Sequence, residues 1–389
     1  MLARFISTRR FLKGAVAALA LLGLSACEPG VGGGPSIDTS KPIPVALLIP
    51  KGSSRSGDAV LAQSLENAAR LAIADLSGVS IDLRVYATAA DAGTAQQAAI
   101  KAVDEGAKII LGPVFAEAAN AVGVGVASKG VNVLSFSNNT TIAGGNVFVL
   151  GPTFSNTASR LVDYATKHGK SNFMIAHANN VSGQQGNSAI SAAINNSFAT
   201  NAGSVSYEFS QQGVVNAVRK ITTTAADTKP DALFLTADTS GALPLFSQLL
   251  PEAGMSPLTT QFIGLTRWDI PAQTLALPGV QGGWFAMPDP SLSQKFQTRY
   301  AQAYGGLPHP IGGLAYDGIA AIGALAKAGK SNALTGSALT QSAGFQGVNG
   351  IFRLRSDGTN ERGLAVATIR DKKVVIIDPA PTRFGSAGL

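Results

Sequence analysis

The stretch PVALLIPKGSSRSGDAVLAQSLENAARLAIADL (44–76) contains two hydrophobic rhythms, one after the other. Val45 to Ile49 is an unbroken apolar run that stops at Pro50, which reads as a strand buried on both faces. From Asp58 to Leu76 the apolar residues fall at helical spacing, with Leu61, Leu65, Ala68, Ala69 and Ala72 on one face. A buried strand followed by an amphipathic helix is the first half of a strand–helix–strand unit, and it predicts a parallel sheet.

The alternation continues outward. Ile81 to Tyr86 reads as a strand, Ala92 to Glu105 as a helix, and Lys108 to Leu111 as a strand closed by Gly112-Pro113. Glu117 to Ser128 is helical, and Val131 to Phe136 is a strand again. A second series follows Val147 to Leu150 and Gly151-Pro152. Its helices are Thr157 to His168, Gln185 to Thr200, Val214 to Thr224 and Ala242 to Ala253. Its strands are Phe173 to Ala176, Ser204 to Phe209, Ala232 to Thr236 and Phe262 to Leu265. The expected class is α/β with two lobes, each a mainly parallel sheet with helices on both faces.

The first lobe is expected to span 42–150 plus part of 310–389, and the second 151–310. Connections between the lobes are expected near 146–153 and 290–330. Helices at Leu292 to Tyr304 and Gly312 to Ala328 are expected to straddle the lobes. Gly350 to Leu354 and Leu364 to Ile369 flank Asp357-Gly358 as a hairpin, joined by a strand at Val374 to Ile377. That hairpin is expected to return to the first lobe.

The chain has 389 residues, of which 46% are apolar and 14% charged. The net charge of +7 suggests an acidic partner until its position is considered. Residues 1–26 hold Arg4, Arg9, Arg10 and Lys13 and no acid, so the rest carries a surplus of only three positive charges. No nucleic-acid partner is expected.

The basic segment precedes an apolar run, Ala15 to Leu22, which is far short of the ~20 residues that span a bilayer. It reads as a signal peptide over 1–26. Leu24-Ser25-Ala26-Cys27 resembles the lipobox of bacterial lipoproteins, which implies that Cys27 is lipidated and becomes the mature N-terminus. Thr8-Arg9-Arg10-Phe11-Leu12-Lys13 is similar to a twin-arginine export signal without its spacer, so the route of export stays open. Cys27 is the chain's only cysteine, so no thiol remains for a disulfide, a metal or a nucleophile. Residues 27–41, rich in Gly, Pro and Ser, read as a flexible tether. Glu28 stands where lipoproteins retained in the inner membrane carry Asp, which points to the outer membrane.

Motifs of catalysis are missing. Gly323 lies one residue too far from Gly329-Lys330-Ser331 for a phosphate loop, and the segment follows a helix. Gly123-Val124-Gly125 lacks the third glycine of a dinucleotide fingerprint. No G-x-S-x-G elbow is present, and His168, His177 and His309 are scattered. No cofactor, metal or catalytic residue is expected.

Ligands of open α/β sheets bind outside the carboxyl ends of strands. In the first series those ends supply Ser53, Ser54, Gly112, Pro113, Phe115, Ser137, Asn138 and Asn139. In the second they supply Asn179, Asn180, Asp238 and Trp268. Hydroxyls, amides and glycines there suit ligand contact or helix capping equally. Trp268 is a candidate for stacking on a ligand or for packing.

The two-lobe pattern resembles the type I periplasmic binding proteins, the Leu/Ile/Val-binding family, from about Pro42 to Asp378. The specific pieces are Ile110-Leu111-Gly112-Pro113, Val133-Leu134-Ser135-Phe136-Ser137-Asn138 and Tyr316-Asp317. Ser182-Gly183-Gln184-Gln185-Gly186 matches the family's Tyr-Gly-x-x-Gly turn with Ser182 in place of Tyr. Amino-acid-binding members hold the ligand carboxylate through a small hydroxyl residue after the Gly-Pro turn, where this chain has Val114-Phe115-Ala116-Glu117. Gly112 to Ala119, Phe136-Ser137-Asn138-Asn139, Gly144-Gly145-Asn146-Val147 and Val149-Leu150-Gly151 are most similar to the penicillin-binding-protein activator lipoproteins. That resemblance implies a non-enzymatic regulator of a peptidoglycan synthase, although the helical-repeat domain of some members is missing. The alternative is a solute-binding lipoprotein that hands an amino acid or another small polar ligand to an ABC permease.

Overall fold

Alternation within β1 (Ile43–Ile49) sets the layers of the first lobe. Val45, Leu47 and Ile49 face one layer, Ala46 and Leu48 the other, and all five are sealed from solvent. One layer is α1 (Asp58–Asp75), whose buried stripe includes Leu61, Leu65, Ala68, Ala69 and Ala72. The other is α2 (Ala92–Asp104) and α3 (Ala116–Val126), which bury mainly small residues, Ala95, Ala99, Ala102 and Ala118, with Val122. β2 (Ile81–Ala87), β3 (Ile109–Leu111), β4 (Val133–Ser135) and β5 (Val147–Val149) complete a parallel sheet of order β2-β1-β3-β4-β5. The computed structural model describes residues 34–385. The signal peptide, Cys27 and the first part of the tether lie outside the described residues.

The second lobe repeats the plan. It is built from α4 (Phe154–Lys167), β6 (Asn172–Ala178), α5 (Val181–Asn195), β7 (Thr200–Tyr207) and α6 (Gln211–Thr228). β8 (Ala232–Leu235), α7 (Leu243–Glu252), β9 (Gln261–Gly264) and β10 (Trp284–Met287) follow. Phe173 and Ile175 of β6 pack with α4 and α5, while Met174 and Ala176 pack with α6 and α7.

The last quarter of the chain divides differently from the sequence expectation. α8 (Pro290–Tyr304) and α9 (Gly313–Lys327) do not straddle the lobes; both join the first-lobe core. α8 buries Phe296 and Tyr300 there, and its Tyr304 hydroxyl donates to the Asn67 carbonyl at 3.0 Å. α9 is apolar on nearly every side and is buried to match.

After the short α10 (Gly336–Leu339), β11 (Phe345–Gly347), β12 (Gly350–Leu354) and β13 (Asn360–Arg362) form a small antiparallel sheet on the same lobe. The hairpin at Asp357-Gly358 therefore joins β12 to β13, and Leu364 to Ile369 lies elsewhere. β14 (Ala365–Arg370) enters the second-lobe sheet between β10 and β15 (Lys373–Asp378). Five consecutive buried residues, Ala365 to Ile369, suit an internal strand covered on both faces. The terminal hairpin, β14–β15, thus belongs to the second lobe. The chain crosses between lobes three times, after β5, after β10 and after β13.

Candidate functional site

The loops that leave the carboxyl ends of parallel strands gather at one edge of a sheet. A cavity of about 560 Å³ separates two such edges. Asn138, Asn139, Thr140 and Thr141 follow β4 on the first-lobe side, and Val181, Ser182, Gln184, Gln185 and Ser188 of α5 stand on the other. A smaller cavity of about 250 Å³ adjoins the crossovers. Pro152, Pro288 and Leu364 from the three crossings line it, with Thr266 and Arg267 after β9 and Ile311 and Leu314 of the first lobe. Phe154 belongs to both walls.

The crossings after β5 and β13 are fastened to one another by side chains. Arg362 donates through Nε to the Leu150 carbonyl at 2.9 Å and through Nη1 to Asp317 at 3.1 Å. Asp317 also accepts from the Val348 backbone N–H at 2.8 Å and from Asn349 Nδ2 at 3.1 Å. Asn360 Nδ2 donates to the carbonyls of Val149 and Gly151 at 2.7 and 2.8 Å. Backbone groups at the crossing, which have no sheet partner, are thereby satisfied.

Most polar candidates from the sequence serve the fold. Ser53 Oγ donates to Asp58 at 2.6 Å, and Arg55 pairs with the same carboxylate at 3.2 Å. The Arg55 guanidinium lies 4.0 Å over the Phe115 ring, so Phe115 carries a cation of its own lobe. Ser54 is exposed. Gly112, at φ 94°, and Pro113 are buried; a Cβ on Gly112 would stand 2.3 Å from the Leu48 carbonyl oxygen. Ser137 Oγ accepts from the Asn139 N–H at 3.1 Å, and Asn139 Oδ1 accepts from the N–H and hydroxyl of Thr141.

In the second lobe Asn180 caps α5 by accepting from the Gly183 N–H at 2.8 Å. Asn179 Nδ2 donates to Glu208 at 2.9 Å. Asp238 is exposed and accepts from the Ser240 hydroxyl at 3.2 Å. Burial pushes the nearby Tyr207 hydroxyl up to about 12, which keeps it neutral.

Trp268 is 0% exposed, packed between Gly264 and Gly283 in the second-lobe core, and no ligand can stack on it. Of the sequence candidates, only Asn138 and Asn139 line either of the two cavities. Gln184 and Gln185 belong to the Ser182-to-Gly186 turn that resembles the family's, while Phe154 and Thr266 are marked by position alone, just after a crossing and just past a strand end.

A family model described as periplasmic binding protein matches residues 42–373. The chain belongs to the periplasmic binding protein family. Among solved structures, a putative branched-chain amino acid ABC transporter protein from Rhodospirillum rubrum superposes with a TM-score of 0.74 at 17% identity. The match covers 87% of this chain and 100% of that one. A substrate-binding protein from Desulfitobacterium hafniense in complex with Leu gives 0.64 at 17% identity, over 87% of this chain and 100% of that chain. A solute-binding protein from Rhodopseudomonas palustris in complex with benzoate gives 0.58 at 16% identity, over 89% and 98%. Identities this low establish a shared fold. No curated protein sequence matches the chain.

In this periplasmic binding protein the stretch after Gly112-Pro113 is filled by the Arg55–Phe115 stack, with no hydroxyl free to take a carboxylate. The facing turn of α5 presents Ser182, short and exposed, in place of an aromatic cover.

Proposed function

We propose that this protein is a non-enzymatic solute-binding protein that closes its lobes over a small ligand and delivers it to an ABC permease. The observation that carries this reading is the cavity of about 560 Å³ walled by the loop after β4 on one side and α5 on the other. Small-molecule sites occupy roughly 300–1,000 Å³. A ligand touching both walls stabilises the closed arrangement by its differential affinity, and the three short crossings supply the hinge. The ABC-transport names of the structural neighbours support the same reading. Lipidation at Cys27 and the tether would hold the fold at a periplasmic membrane face.

A second reading is regulation of a peptidoglycan synthase by direct contact. Glu28 after the lipidated cysteine favours it, because an outer-membrane anchor suits an activator that reaches across the periplasm. Crosslinking in cells from Lys51 and Asp238, at the strand ends of the two lobes, is expected to recover a permease subunit. Recovery of a synthase with no permease would overturn the delivery reading in favour of the second.

A further inference from the structure

The charged groups that line the two interlobe cavities are already paired. Apart from Arg362, the charged residues of an adjoining cavity of about 800 Å³, among them Asp163 and Lys167, line neither. Among the described residues, no ionisable side chain lines the larger cavity, whose polar wall is Asn138, Thr140, Ser182, Gln184, Gln185 and Ser188. The smaller cavity meets two ionisable residues, Arg267 and Arg362. Arg267 gives Nε and Nη2 to the two carboxylate oxygens of Asp269. Arg362 is held by Asp317 and the Leu150 carbonyl. The rest of that wall is mainly apolar, and its Thr266 has a buried Oγ1 with no hydrogen-bond partner. The rim groups Lys51, Glu208 and Asp238 line neither cavity.

A buried carboxylate or ammonium needs a counter-charge, and neither cavity offers a free one. Asn and Gln side chains each present both donors and acceptors, which match amides and hydroxyls. We infer that the cleft selects an uncharged solute in which amide or hydroxyl groups adjoin an apolar part, and that it rejects α-amino acids and simple carboxylates. The inference rests on the solute-binding reading above.

The test uses the mature wild-type protein and probes matched in shape but not in charge. Thermal unfolding is followed with 4-methylpentanamide against leucine, with benzamide against benzoate, and with benzyl β-glucoside. The neutral members are expected to raise the unfolding temperature by several degrees, and the charged members to leave it unchanged. A shift from leucine or benzoate equal to or above that of its amide would overturn the inference and leave solute binding standing. No shift from any probe would overturn the solute-binding reading, and this inference with it.

Two variants locate the effect. Gln185→Glu is expected to weaken the neutral probe at least tenfold. Asp269→Asn, which releases Arg267, is expected to strengthen benzoate at least tenfold. Benzoate affinity unchanged in folded Asp269→Asn would show that charge pairing does not set the selectivity.

Discussion

The carboxylate of Asp317 accepts a hydrogen bond from the Arg362 guanidinium at 3.1 Å, and both side chains are sealed from solvent at 0% and 3% exposure. One comes from a first-lobe helix, α9, and the other from the last residue of β13, where the chain leaves for the second lobe. Because Arg362 also holds the Leu150 carbonyl, two of the three crossings are anchored to the first lobe through one buried pair. In the proposed closure the bend would therefore fall beyond this anchor, towards Pro152 and Leu364.

Breaking a buried ion pair from one side leaves an uncompensated charge, which costs about 3–5 kcal/mol. Asp317→Ala is expected to lower the free energy of urea unfolding by that amount. Asp317→Leu combined with Arg362→Met, which removes both charges, is expected to recover most of the loss. A single variant as stable as wild type would show that the pair does not anchor the crossings.

His309 gives a pH dependence of definite sign. Burial pushes its pKa below 6.5. Its backbone N–H donates to Ser64 Oγ at 2.6 Å, which ties the loop before α9 to α1. The folded state thus binds fewer protons than the unfolded state across this range. Stability is intact above pH 6.5 and declines as pH falls through the folded pKa. Thermal unfolding between about pH 7.5 and 5 should fall more steeply for wild type than for His309→Gln. Parallel curves would remove His309 as the cause.

Cys27 carries the membrane prediction. Acyl chains contribute about 0.8 kcal/mol for each buried methylene, and two or more chains make anchoring stable. Cys27→Ser is therefore expected to move the protein from the membrane pellet to the soluble periplasmic fraction. Mass spectrometry of the wild type should find an acylated N-terminal peptide beginning at Cys27. An unmodified cysteine in a soluble protein would dismiss the anchor.

Much of the fold was readable because it rests on local periodicity. Val45 to Ile49 and the Leu61–Leu65–Ala68–Ala72 stripe specify one strand and the helix that covers it, without reference to distant residues. β14 was misplaced for the opposite reason. Ala365 to Ile369 reads as a buried strand, but an apolar run does not say which sheet will bury it. β10 was missed because four residues between Gly283 and Pro288 are too short for a period to show. The candidate site was least readable of all. Ser53, Ser137 and Asn180 have the same chemistry whether they bind a ligand or hold a turn, and here their side chains bond within their own loops. Asn139 both holds a turn and lines the larger of the two cavities.

Trp268 separates those two purposes experimentally. Its ring lies where a Cβ on Gly264 would come within 2.3 Å of Nε1 and a Cβ on Gly283 within 2.3 Å of Cζ3. Such close approach on two sides means that the backbone of both neighbours is shaped to the indole. Truncating a buried tryptophan costs about 3–5 kcal/mol, so Trp268→Ala is expected to lose most of the second lobe's stability. Gly264→Ala should also destabilise, by roughly 1–3 kcal/mol, through overpacking. Trp268→Phe keeps a ring in the core and removes only the larger aromatic surface. Its affinity for a neutral probe such as benzamide should equal that of wild type, while its unfolding temperature falls. If affinity falls tenfold with the unfolding temperature unchanged, Trp268 contacts the ligand and the packing assignment is wrong.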